Sequence, residues 1–206
     1  MSLKLKKKKV MQIPPLEGGT YMAICVGVVD LGEQYNSNYK NYSNKLMFLF
    51  EIPTETVSID GEEKPRWLSR EYTASLNEKA ALHKHLVSWR SKDFSEDELA
   101  EDGEGFDISS MLGQPCMLTV IVKDGENGSY NKIENISGIP KGIPAPTTES
   151  ELLAFDIDNR NEEVFDKLPE WIQNKIKKST QYSDNPPAET VEFEQPAANV
   201  EEECPI

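Results

Sequence analysis

The segment Tyr35-Asn36-Ser37-Asn38-Tyr39-Lys40-Asn41-Tyr42-Ser43-Asn44-Lys45 interleaves three aromatic rings with amides and two lysines, and a single acid, Glu33, lies just before it. Rings of this kind stack on base faces while cations and amides hold phosphates, a mixture suited to single-stranded nucleic acid. Stacking is worth roughly 1–3 kcal/mol per base, so two or three engaged tyrosines would dominate affinity. The competing reading is an ordinary polar loop whose tyrosines pack back on the protein. A second cluster is Lys64, Arg66, Trp67, Arg70 and Tyr72. Arg66, Arg70 and Tyr72 share strand parity and are expected to line one exposed face, whereas Trp67 serves equally well as a core plug. Lys123, Tyr130 and Lys132 flank the turn chemistry of Asp124-Gly125-Glu126-Asn127-Gly128 and are expected to form the opposite wall of the groove.

Other reactive side chains lack the spacing that chemistry requires. His83 and His85 are two apart on an expected helix, so they point in different directions and cannot chelate. The acidic stretch Asp93 to Asp107 lacks the alternating ligands and central glycine of a calcium loop, and reads as solvated. No phosphate loop, GxSxG, HExxH or CxxC pattern occurs. Neither an enzyme activity nor a cofactor is expected. Cys25, Cys116 and Cys204 are widely spaced and suggest neither a disulfide framework nor a zinc site, which fits a reducing cytoplasm.

The chain has 206 residues, 37% of them apolar and 28% charged, which describes one packed domain diluted by polar segments. No apolar run approaches the roughly 20 residues of a membrane helix, and the start does not read as a secretory leader. The net charge of −14 argues at first against nucleic acid, but it is unevenly distributed. Residues 1–92 carry +4, residues 93–107 carry −8, and residues 181–206 carry −7. The acidity therefore sits mainly in one loop and one tail, leaving a mildly basic front half.

These residues must be positioned by a small set of elements. Residues 1–19 read as a basic arm containing Lys4 and Lys6 to Lys9. Thr20 to Leu31 reads as a strand apolar on both faces, with Gly27 suited to a bend or a close backbone approach. A polar loop is expected over Gly32 to Ser43, then strands over Lys45 to Ile52 and Arg66 to Leu76. Ser75-x-x-Glu78 has capping-box form ahead of Leu82, Leu86 and Trp89 at helical spacing. Cys116 to Lys123 and Tyr130 to Ile139 form a final hairpin. Three strands, a helix and a hairpin is the element order of a five-stranded OB-fold-like barrel, mainly β with some α, spanning residues 20–142. Residues 143–180 read as a linker and a short helical extension, with Leu168, Trp171, Ile172 and Ile176 on the side that docks. Residues 181–206 read as a disordered acidic tail.

The chain ends Val200-Glu201-Glu202-Glu203-Cys204-Pro205-Ile206, after a spacer rich in Pro, Ala and acid. With this ending it resembles the OB-fold single-stranded-DNA-binding proteins of bacteriophages and mobile elements. The bacterial members of that class end in acids, a proline and a large apolar residue. Glu201, Glu202, Glu203, Pro205 and Ile206 match that form, with Cys204 intervening and Ile206 in place of the usual aromatic. The segment Trp67 to Lys79 is similar to the strand-to-helix junction of phage replication-module proteins. The resemblance implies a protein that coats single-stranded DNA during replication or recombination in a bacterial cytoplasm. It also implies that the tail meets replication or recombination proteins, and self-association is compatible with such a coat. The tail would compete with DNA for the basic groove. The alternative is an OB-like adaptor that binds a basic protein partner and has no DNA affinity of its own.

Overall fold

The computed structural model describes residues 13–182, apart from 60, 101 and 127. The lysine arm at Lys4 to Lys9 and the tail residues Glu201, Glu202, Glu203, Pro205 and Ile206 lie outside the described residues. Five antiparallel strands follow the hydrogen-bonded order β3-β2-β1-β4-β5. They are β1 (Gly19–Asn36), β2 (Asn41–Ile59), β3 (Glu62–Thr73), β4 (Pro115–Gly125) and β5 (Gly128–Ser137). The sheet curls into an OB-like half-barrel with helix α1 (Ala81–Arg90) between β3 and β4 in the chain.

Strand β1 is apolar on both faces because it is buried on both. Ala23, Cys25 and Val28 face the barrel interior with Phe48, Phe50, Cys116, Leu118 and Ile136. Leu82, Leu86 and Trp89 of α1 close that interior, and the Trp89 indole donates to the Pro115 carbonyl at 2.8 Å. Ile24, Val26, Val29 and Leu31 face the other way, into a second core. Burial on one face alone would have produced clean alternation. Gly27 sits at a bulge between these two sets, and a Cβ there would lie 2.7 Å from Leu49 Cδ1. Gly27→Val should therefore lower stability by about 1–3 kcal/mol through overpacking, read as a lower urea midpoint at unchanged slope.

The second core is built by the C-terminal extension. Strand β6 (Leu153–Phe155) pairs parallel to β1 at Gly27–Val29, past the point where β4 begins. Helices α3 (Glu162–Lys167) and α4 (Glu170–Ile176) then lay Phe165, Leu168, Ile172 and Ile176 on the outer side of β1 and β2. Leu168, Ile172 and Ile176 dock as their spacing predicts, but Trp171 is 51% exposed and faces away.

Two local expectations resolve differently. Ser75 and Glu78 do not cap α1, which starts after Ala80 without a side-chain cap. The Asn77 side chain instead accepts from the Lys79 amide at 3.0 Å, turning the chain so that Leu82 and Leu86 enter the core. A capping box does form at Ser95 and Glu98, on the short helix α2 (Glu96–Leu99) inside the acidic stretch. That stretch is also pinned by Arg90, which pairs with Glu98 at 2.6 Å and packs against both the Phe94 and the Phe106 ring.

Candidate nucleic-acid interface

The expected polar loop is mostly strand. The β1–β2 ladder continues through Tyr35↔Tyr42 to Asn36↔Asn41 and leaves residues 37–40 as the turn. The Asn36 side chain accepts from the Asn38 amide at 3.0 Å, and Lys40 takes a left-handed conformation with φ 51°. The hairpin arm is polar yet regular because each residue pairs with a partner strand, which local composition does not reveal. Tyr35 and Tyr42 face one another with ring centroids 5.1 Å apart. Such a cross-strand pair stiffens the arm and still leaves both rings exposed. Tyr39, in the turn, is 78% exposed. Lys45 reaches across to β3, donating from Nζ to Thr73 Oγ1 at 2.7 Å.

Strand alternation puts Tyr42 on the same face as Asn44 and Leu46, which line a cleft of about 500 Å³. Asp30, Asp107, Asp156 and Asp158 also line it. Burial raises the Asp30 carboxyl above its ordinary range, an effect opposed by the Gly32 amide and reinforced by Asp156 and Asp158. A polyphosphate chain is repelled by this cleft, so the rings are available to bases only from the hairpin outward.

Arg66, Arg70 and Tyr72 do share one face, but it is the inward one and not the exposed face their parity suggested. They stand opposite Ile52, Phe48 and Leu46, all barrel-core residues. Arg70 donates to the Ile133 carbonyl on β5. Arg66 donates to the Pro14 carbonyl at 2.7 Å and to Asn131 Oδ1 at 3.4 Å. The two arginines thus join β3 to β5, which share no backbone ladder. Tyr72 is 4% exposed, packs edge-on against Phe48, and has no ring face open to a base in this conformation. Trp67 points outward, half-buried against the second core, and donates to Glu51 at 3.2 Å.

The remaining positions lie apart from the tyrosine hairpin. Lys64 pairs with Glu62 at 3.2 Å and Lys132 with Glu134 at 2.7 Å. Lys123 lies opposite exposed Tyr130 near the β4–β5 turn. That turn lies beyond the Gly19↔Val120 pair, at the other end of β1 from Tyr35. The structure therefore does not bring the β4–β5 hairpin and the tyrosine hairpin together as two walls of one groove. Residues 153–182 cover the outer face of β1 and β2, while Ser69 and Thr73 on β3 stay exposed. Outer faces of this kind commonly hold oligonucleotides in OB-folds.

The buried end of the cluster titrates. Tyr72 Oη and His85 Nδ1 are 2.6 Å apart, and burial, then the Arg70 charge, lowers the His85 pKa below its usual 6.5. Protonating Nδ1 would remove the acceptor for the tyrosine hydroxyl. The folded state takes up this proton less readily than the unfolded state, so its contribution to stability is full above about pH 6.5 and declines as pH falls toward the folded pKa. The urea midpoint should drop between pH 7.5 and 5.5, and drop less in His85→Gln. An equal drop in the two proteins would remove His85 as the cause. Cys25 and Cys116 are buried, and burial pushes the Cys25 thiol up to about 12, which makes it unreactive.

Among the described residues, no helix is long and apolar enough to cross a membrane, and no cluster of His, Cys, Asp or Glu is placed to hold a metal. No known protein family, curated protein or solved structure matches the chain.

Proposed function

We propose that the protein binds single-stranded DNA, without catalysis, and coats it in phage or mobile-element replication or recombination. The observation that carries this reading is the projecting hairpin, with Tyr35, Tyr39 and Tyr42 exposed beside Lys40 and Lys45. Open rings on a stiff arm favour unpaired bases, whose faces are accessible, over a duplex, whose faces are stacked inside. The basic arm adds non-specific phosphate attraction. Labelled oligo-dT should bind more weakly as salt rises, with a log–log slope of about −0.7 per phosphate engaged. Duplex of the same length should bind more weakly than the single strand. Equal or tighter duplex binding would contradict the stacking argument.

A second reading draws on the acidic cleft at Asp30, Asp107, Asp156 and Asp158, which suits a basic protein partner. It makes the chain an adaptor. Absence of oligo-dT binding at low salt would favour it.

A further inference from the structure

The C-terminal extension covers the outer side of β1 and β2, so a ligand approaching this side meets α4 in their place. The three apolar residues that α4 and its approach turn inward, Leu168, Ile172 and Ile176, are 2% exposed or less. Trp171, adjacent to them in sequence, is the exception. A large indole left half in water on a short, well-docked helix contributes little to the core that holds the helix in place. Helical spacing puts Lys175 on its side, at i+4, and Lys178 is exposed in the turn that follows α4. Residues 167–182 hold four lysines and one glutamate, within a chain of net charge −14.

The position of this side is fixed by named contacts. Lys175 Nζ pairs with Glu71 on β3, and Lys45 Nζ bonds Thr73 on the same face of that strand. The exposed strip of β3 is thus flanked by one lysine from β2 and one from α4. The Gln34 side chain donates to the Lys175 carbonyl at 3.1 Å, and the Thr180 amide donates to the Glu33 carbonyl at 3.2 Å. Both bonds fasten the end of α4 to the root of the tyrosine hairpin. The Lys175–Glu71 pair is partly exposed, and such pairs contribute little, so a phosphate can compete for the ammonium.

We infer that α4 is a second contact site for the same single strand: Trp171 stacks a base, and Lys175 and Lys178 hold the adjoining phosphates. This rests on the single-strand reading above and extends it to an element that composition suggested only as packing. The occupant follows from charge and shape together, because an exposed indole beside cations suits a base and its phosphate.

Intrinsic fluorescence provides the test. The chain has three tryptophans, of which Trp89 is buried and Trp67 half-buried, so the share of quenching lost in Trp171→Phe reports on Trp171. Oligo-dT should quench the full-length protein. Trp171→Phe should lose most of the quenching and keep affinity within a few-fold, since a phenyl ring still stacks. Trp171→Ala should weaken binding on the order of tenfold with an unchanged melting temperature. Wild-type affinity in Trp171→Ala, or undiminished quenching in Trp171→Phe, overturns the α4 site. If Tyr39→Ala weakens binding in that case, the hairpin reading stands without it. If the wild-type protein binds no oligo-dT, both fall. Should Trp171→Ala lose its fold, the quenching in Trp171→Phe decides alone.

Discussion

Replacing Tyr39 and Tyr42 together with alanine is expected to weaken oligo-dT binding by roughly a hundredfold while leaving the salt slope nearly intact. Two stacked bases at about 1–3 kcal/mol each set that scale, and neither ring carries charge to release counterions. Lys40→Ala with Lys45→Ala should instead lower both affinity and slope, by about 0.7 log–log units for each phosphate no longer held. The two tyrosines are not equivalent. Tyr39 is exposed in the turn, whereas Tyr42 also faces Tyr35 across the hairpin, so its loss removes a cross-strand pair worth about 0.2–1 kcal/mol. Tyr39→Ala alone therefore isolates stacking from hairpin stiffness. Wild-type affinity in the double variant would make these rings packing residues of the hairpin.

Ending the chain after Gly142 is expected to give an aggregating protein and not a free-standing barrel. The cut would bare Ile24, Val26, Val29, Leu31, Met47 and Leu49 together, a contiguous apolar face on adjacent strands. It would also leave the β1 edge at Gly27–Val29 without its β6 partner. A milder form of the same experiment is Ile172→Ala, at a fully buried position, which should cost about 2–5 kcal/mol in urea unfolding. A soluble fragment of residues 1–142 that unfolds cooperatively would show that the extension is an accessory to a self-sufficient barrel.

What the sequence determined by itself is the set of elements and much of their packing. Apolar residues on both faces of Thr20 to Leu31 required burial on both sides, and both cores exist. Gly27 suited a bend or a close backbone approach, and it sits at a bulge with the Leu49 side chain against it. The spacing of Leu82, Leu86 and Trp89 required a helix with one buried face, and Asp124 to Gly128 required a tight reversal. Each of these is a local property, written in alternation, helical period or turn chemistry.

Tertiary structure decided which way shared faces point. Alternation groups Arg66, Arg70 and Tyr72 but is silent on direction, because Trp67 and Leu68 make both sides of β3 partly apolar. Curling of the sheet turned the arginines inward to join β3 to β5. The length of the tyrosine hairpin was likewise hidden, because a polar strand is held by its partner's hydrogen bonds and not by its own composition. The helical stripe at Leu168, Ile172 and Ile176 was legible, but Trp171, grouped with it at i+3 from Leu168, lies at the margin of that stripe. A seven-residue helix on the outer face of a curled sheet has room to bury only a narrow stripe, and that limit left the indole half in solvent near Lys175.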